Sequence, residues 1–183
     1  MALPKSFMTS NEYLKMERAS EQRHEYDNGE IFAMSGASRE HNLIANNLSS
    51  RLLIQLDDRP CEVYQSDMRV KIATTSLYTY PDVVVVCDQP QFEDVELDTL
   101  LNPTVIIEVL SPSTEQYDRG KKLKHYRQIT TLQEYILVSQ YEINVEQYRK
   151  HDDQWLYTAL DNLDAVLSLP SLGCTLTLSS IYK

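Results

Sequence analysis

The sequence predicts an α/β (α+β) fold in which a mixed central β-sheet is flanked by helices and carries extra β-hairpins. Three observations lead there. Two short runs rich in β-branched aliphatics, Val83-Val84-Val85-Val86 and Val105-Ile106-Ile107, are bounded by Pro or polar residues and have the continuous apolar character of strands buried on both faces. Between Ser38 and Leu56 the residues Ile44, Leu48 and Leu52 form a helical stripe. Toward both ends of the chain, alternation and turn residues such as Asn28-Gly29 mark hairpins.

The elements follow in order. Thr9-Ser10-Asn11-Glu12 has the Thr-x-x-Glu pattern of a capping box, and Tyr13, Leu14 and Met16 supply the apolar residues of a short helix ending near Ala19. Asn28-Gly29 suits a two-residue turn with positive φ twice, so residues 23–34 form a β-hairpin with Glu25 and Glu30 on its two arms. Ser38 caps the helix to about Leu56; His41, three residues before Ile44, points to the same side. Residues 61–72 read as one half-exposed strand, with Met68, Val70 and Ile72 alternating against Asp67, Arg69 and Lys71. Strands over 81–87, 104–110 and 134–139 and a helix over about 115–128 complete the core. Gly120 inside that helix costs about 1 kcal/mol relative to Ala, so the helix could start as late as Asp118. An outer hairpin joins Ile143-Asn144-Val145-Glu146 to Trp155-Leu156-Tyr157, and alternation in Cys174, Leu176 and Leu178 gives a last strand.

Composition sets the bounds. A chain of 183 residues with 42% hydrophobic and 24% charged residues fits one domain, residues 1–183, with a proper core. The net charge of −10 excludes a surface that is basic everywhere, so nucleic-acid contact has to be local or metal-assisted. Residues 88–98 hold five acids and no Lys or Arg and read as a solvated loop, while residues 115–127 hold five bases against two acids, either a wet helix face or a phosphate-facing edge. Cys61, Cys87 and Cys174 are widely spaced and odd in number, which reads as reduced core thiols of a cytoplasmic protein. The start of the chain has no leader pattern, and no apolar run is long enough for a membrane span. The 12 tyrosines suit core margins or a homodimer interface.

Chemistry concentrates in residues 80–126. Each buried strand carries one carboxylate, Asp82 and Glu108, and burying an unpaired one costs several kcal/mol unless a cation or hydrogen-bond network meets it. Asp82 with Val84 and Val86, and Ile106 with Glu108 and Leu110, each share one strand face. If the strands are neighbours, the carboxylates should approach within roughly 3–6 Å and suit a hard divalent cation such as Mg²⁺. Asp118, Lys122 and Tyr126, spaced four apart, would line one helix face, and an Asp118–Lys122 salt bridge is the plain structural alternative to a catalytic role.

Pro81-Asp82 followed by Glu108-Val109-Leu110 resembles the PD-(D/E)XK nuclease pattern except at its last position, where Leu110 stands for lysine. The wider run of motifs is similar to the Uma-two family of bacterial putative restriction endonucleases: Asp27-Asn28-Gly29-Glu30, His41, Ser66-Asp67-Met68-Arg69-Val70, Tyr80-Pro81-Asp82, Glu108 to Thr114, Asp118-Arg119-Gly120-Lys121-Lys122 and Glu134-Tyr135. The resemblance implies a restriction-endonuclease-like core and Mg²⁺- (or Mn²⁺-) dependent cleavage of DNA. Asp82, Glu108 and the backbone carbonyl of Val109 would hold the ion, and Lys122 would replace the missing lysine. Glu30, His41, Asp118 and Tyr126 would support them. A catalytically inactive module that keeps the nuclease fold for nucleic-acid or protein binding is the rival expectation.

Overall fold

A computed structural model describes residues 7–183, so the expected lack of a leader in residues 1–6 lies outside the described residues. Helix α1 (Ser10–Ala19) opens with the expected capping box: the Thr9 side chain accepts from the Glu12 N–H, and the Glu12 carboxylate accepts from Thr9. Strands β1 (His24–Asp27) and β2 (Glu30–Ala33) form the hairpin, with Asn28 and Gly29 at φ 50° and 95°. Helix α2 (Arg39–Leu56) is capped by Ser38 and buries Ile44, Leu48 and Leu52.

Residues 61–72 correct the one-strand expectation. β3 (Cys61–Gln65) ends in a turn closed by the Met68 N–H on the Gln65 carbonyl, and β4 (Arg69–Ile72) starts beyond it in a different sheet. Alternation resumes after the turn, so periodicity alone reads across it. The chain continues through β5 (Leu77–Thr79), β6 (Val83–Cys87), β7 (Thr99–Leu100) and β8 (Val105–Leu110). The expected long helix is interrupted: α3 (Glu115–Tyr117), a π-helical segment over Asp118–Lys122 and α4 (Leu123–Tyr126) follow one another. β9 (Glu134–Ser139), β10 (Val145–His151), β11 (Gln154–Leu160), β12 (Val166–Leu169), β13 (Cys174–Thr177) and α5 (Leu178–Ile181) complete the order; Leu178, expected in the last strand, begins α5.

Six strands make the central sheet, in the order β11-β10-β9-β8-β6-β3, mixed because β8 and β9 run parallel. Five strands, β2-β1-β5-β4-β7, form a second sheet. Val83, Val85, Ile107 and Val109 face α2 and the β12–β13 hairpin, whereas Val84, Val86, Ile106 and Leu110 pack toward β4, β5 and Tyr126. Burial on both faces is why these strands are continuously apolar. A third cluster seats Tyr13 of α1 against Tyr26 and Tyr78.

Two expectations about charge and sulfur change. Residues 88–98 are no free solvated loop: Arg18 reaches Asp94 and Asp98 at 2.8 Å each, Arg69 meets Asp98 at 2.7 Å, and Lys71 pairs with Glu93. Cys61 and Cys87 form a disulfide, and only Cys174 is a buried thiol. The antiparallel register of β3 and β6 puts the two cysteines directly opposite, Cα atoms 4.0 Å apart, so their separation of 26 in sequence is no barrier. Among the described residues no helix is long and apolar enough to cross a membrane.

Candidate active site

Register builds the site. The β6–β8 ladder pairs Val83 with Ile107, and one step further along sets Asp82, just ahead of β6, against Glu108. The Asp82 N–H donates to Glu108 Oε2 at 3.4 Å, and the Val109 N–H donates to Asp82 Oδ2 at 2.7 Å. The two acids and the backbone of Val109 therefore converge at one point, with Glu108 only 4% exposed.

The ammonium nearest these acids comes from Lys122. Its Nζ lies 2.9 Å from Glu108 Oε1, 3.1 Å from Glu25 Oε1 and 3.5 Å from Asp118 Oδ1. π winding takes in an extra residue per turn, which brings Asp118 and Lys122 almost into one line and aims both inward; such segments occur often at functional sites. Leu110 is buried in the apolar cluster on the same strand face as Glu108, a core position rather than a charged one. Tyr126 donates to Glu108 Oε1 at 2.8 Å, and Tyr135 donates to the Asp118 carbonyl at 3.2 Å. His41 Nε2 sits 3.2 Å from Asp82 Oδ2.

Of the hairpin acids, Glu25 enters the cluster, where it also accepts from Thr79, while Glu30 is not among the residues lining the cleft. The cross-strand pairs Glu25–Phe32 and Asp27–Glu30 are successive rungs on one face, so Glu30 lies about 7 Å nearer the turn. The hairpin pattern alone does not choose between the two acids and the resemblance points to Glu30; the rung that reaches the core is that of Glu25. Of the bases in residues 115–127, Lys121 pairs with Asp27, and Arg119 with Glu115 and Glu146. This part of the stretch is a braced helix face.

The electrostatics are lopsided. Burial pushes the Glu108 carboxyl up, Lys122 pulls it back, and Asp118 and Asp82 push it up again. Asp118 is raised as well, first by burial. Burial works against the charge on Lys122, yet Glu108, Glu25, Tyr126 and Asp118 hold it well above its ordinary value. One ammonium shared by three carboxylates keeps its own proton securely while each acid receives only part of its field. For His41 burial lowers the pKa, but the hydrogen bond and charge of Asp82, together with the Val109 backbone and Asp118, outweigh it and the net shift is upward.

A cleft of about 920 Å³ opens on this cluster, with Asp82, Glu108 and His41 in its lining together with Phe32 and Tyr141. Asp118 Oδ1 and His41 Nδ1 are buried without a hydrogen-bond partner among the described residues. No group of three or more His, Cys, Asp or Glu among the described residues is arranged to hold a metal by itself. A cation here would rest on two carboxylates, backbone oxygen and water.

The sequence profile of the family described as "Putative restriction endonuclease", Uma2, matches residues 10–179. Two similar proteins come from Synechocystis sp. and are described as "Uncharacterized protein". One, slr1290, is 39% identical over 180 residues, spanning 96% of this chain and 92% of its own. The other, sll1609, is 42% identical over 154 residues, spanning 84% and 87%. In three dimensions the chain resembles the crystal structure of a "putative nuclease" from Anabaena variabilis, with a TM-score of 0.76, 23% identity and coverage of 96% of this chain and 97% of that one. That likeness establishes the restriction-endonuclease-like fold. With the family profile matching nearly end to end and two relatives near 40% identity, the chain belongs to the Uma2 family.

Proposed function

We propose that this protein is a Mg²⁺- (or Mn²⁺-) dependent endonuclease that hydrolyses phosphodiester bonds in DNA at the floor of the cleft. The observation that carries this reading is the buried convergence of Asp82, Glu108 and Lys122 at a cleft. The residues present fit a hard cation: Asp82, Glu108 and the Val109 carbonyl would supply oxygens, and three acids share the single Lys122 ammonium while Asp82 faces His41, leaving an excess of carboxylates. When bound, such an ion supplies activation of water and offsets charge on the phosphoryl group.

The remaining roles belong to the chain. The Val109 N–H and His41 fix the orientation of Asp82, and the Tyr126 hydroxyl fixes Glu108. Lys122, protonated in its acidic nest, places a positive charge where the pentacoordinate phosphate gains negative charge. Arg23 and Lys121 in the cleft lining would exchange their partners Asp67 and Asp27 for phosphate, giving local contacts on a chain whose net charge is −10.

The test is cleavage of supercoiled and single-stranded DNA with Mg²⁺, Mn²⁺ or EDTA. Asp82→Asn should lower metal-stimulated cleavage at least about 10²-fold, and Lys122→Ala should lower kcat more than it raises KM. Cleavage unchanged in Asp82→Asn would refute the site. Leu110 at the usual lysine position and the acidic surface favour, as the second reading, a binding module with the same fold. Wild-type protein that binds DNA yet cuts nothing with any metal would select it.

A further inference from the structure

The sheet edges of this molecule are not alike. β2 is four residues long and carries Glu30, β3 is five long and carries Glu62, and β7 is two residues long. Short length and inward or edge charges are the usual protection of an exposed strand against pairing with another chain. β11 has neither: Gln-Trp-Leu-Tyr-Thr-Ala-Leu is seven residues long, contains no charged residue and no proline, and stays in unbroken register with β10 from Leu160 to Gln154. It ends the six-stranded sheet, and among the described residues no strand pairs with its outer side. Leu156 and Tyr157 are 41% and 56% exposed.

Hydrogen-bond direction can be assigned along this edge. The Lys150 N–H donates to the Gln133 carbonyl at 2.8 Å, on the side away from β11, so Lys150 and its partner Trp155 form a non-hydrogen-bonded pair. Alternation then turns the N–H and C=O groups of Trp155, Tyr157 and Ala159 outward. Tyr157 also ends a row of rings that starts at Tyr126: Tyr126–Tyr135, Tyr135–Tyr148 and Tyr148–Tyr157 have centroids 5.0, 6.3 and 5.2 Å apart.

We propose that two copies of this chain associate through β11, pairing antiparallel about a two-fold axis at Tyr157 and joining their central sheets into one. A strand paired with itself in this way needs no second sequence, because the outward donors and acceptors of Trp155, Tyr157 and Ala159 in one copy meet those of Ala159, Tyr157 and Trp155 in the other. The two Tyr157 residues face one another, which continues the row of rings across the axis. On a chain of net charge −10, this uncharged edge is where a second copy can approach with little repulsion. Asp153 and Asp161 would oppose each other just beyond the strand ends and so limit the pairing to these seven residues.

The full chain is tested by sedimentation equilibrium over about 1–200 µM, a range that spans weak to firm association, with amide hydrogen exchange at both ends of the range. Wild type should reach the mass of two chains, and the Tyr157 and Ala159 amides should exchange more slowly as concentration rises. Ala159→Pro removes an outward N–H that β10 does not use, so it should hold the protein at the mass of one chain with its circular-dichroism spectrum unchanged. Tyr157→Lys, which places like charges across the axis, should do the same, whereas Tyr157→Phe should remain a dimer. A wild type that stays at one chain throughout would overturn the proposal. So would a dimer that persists in Tyr157→Lys, or exchange at these amides that ignores concentration.

Discussion

Two clusters of charge sit on either side of β5, one half-exposed around the buried Arg69 and one buried around Lys122, and they are built on opposite plans. In the first, Arg18 and Arg69 face Asp94 and Asp98, and the acids are held below their ordinary values, chiefly by hydrogen bonds from Arg18. Cations and acids match, and the product is a latch that ties α1 to the loop after β6. In the second, Lys122 and His41 face Glu25, Asp82, Glu108 and Asp118; Glu108 and Asp118 are held above their ordinary values, with burial as the largest cause. The matched cluster stabilises the fold, while the mismatched one keeps acids charged only against the preference of their surroundings. Such a mismatch is the pattern expected at a functional site rather than in a structural ion-pair network.

The largest effect expected from breaking the contrast is on the matched side. Arg69→Ala removes a guanidinium that also donates to Thr99 and to the Tyr80 hydroxyl, leaving buried acceptors unmet. We expect a loss of roughly 2–3 kcal/mol in urea unfolding, less than a fully buried pair because Asp98 is a third exposed, with cleavage per folded molecule retained. Loss of activity without loss of stability would erase the distinction.

pH sharpens it further, because the two clusters carry opposite signs. Asp94 and Asp98 have depressed folded values, so their contribution is present above the unfolded value of 3.8 and is lost as pH falls below it. Glu108 has a raised folded value, so its contribution is complete below the unfolded 4.5 and is lost as pH rises from there toward the folded value. Metal-free wild type should therefore lose stability from about pH 5 upward, and Glu108→Gln should flatten that limb while leaving the acid limb unchanged.

The smallest effect concerns the π segment that aims Asp118 and Lys122. A Cβ built at Gly120 meets nothing within 4 Å, and the residue is not in the left-handed region, so neither packing nor φ demands glycine. Gly120→Ala should raise stability by roughly 0.5–1 kcal/mol in thermal melts, with the site unaltered. A drop would show that the π winding itself depends on glycine.

The contrast also marks what the sequence could reveal. The capping box, the Asn28-Gly29 hairpin, α2 and the buried strands are local patterns, and each is found where it was expected. Placing Asp82 beside Glu108 needed only two neighbouring strands and alternation. What stayed hidden depended on register or rung between distant segments. The Cys61–Cys87 pairing, the jump of β3 and β4 into different sheets, the engagement of Asp94 and Asp98 by Arg18, and the choice of Glu25 over Glu30 are of that kind. The π segment leaves no local signal apart from a glycine between Asp118 and Lys122, which the sequence alone reads as a cost to an ordinary helix.

The central claim, that the surplus of acid exists to hold a cation, is tested most directly by thermal melts of wild type, Asp82→Asn and Glu108→Gln with and without Mg²⁺. Removing one of several close like charges should leave the metal-free variants as stable as wild type or more so, and Mg²⁺ should raise the Tm of wild type alone. Variants that are destabilised without metal to the extent expected for Arg69→Ala, or a wild-type Tm indifferent to Mg²⁺ and Mn²⁺, would mean that this cluster is a second structural latch.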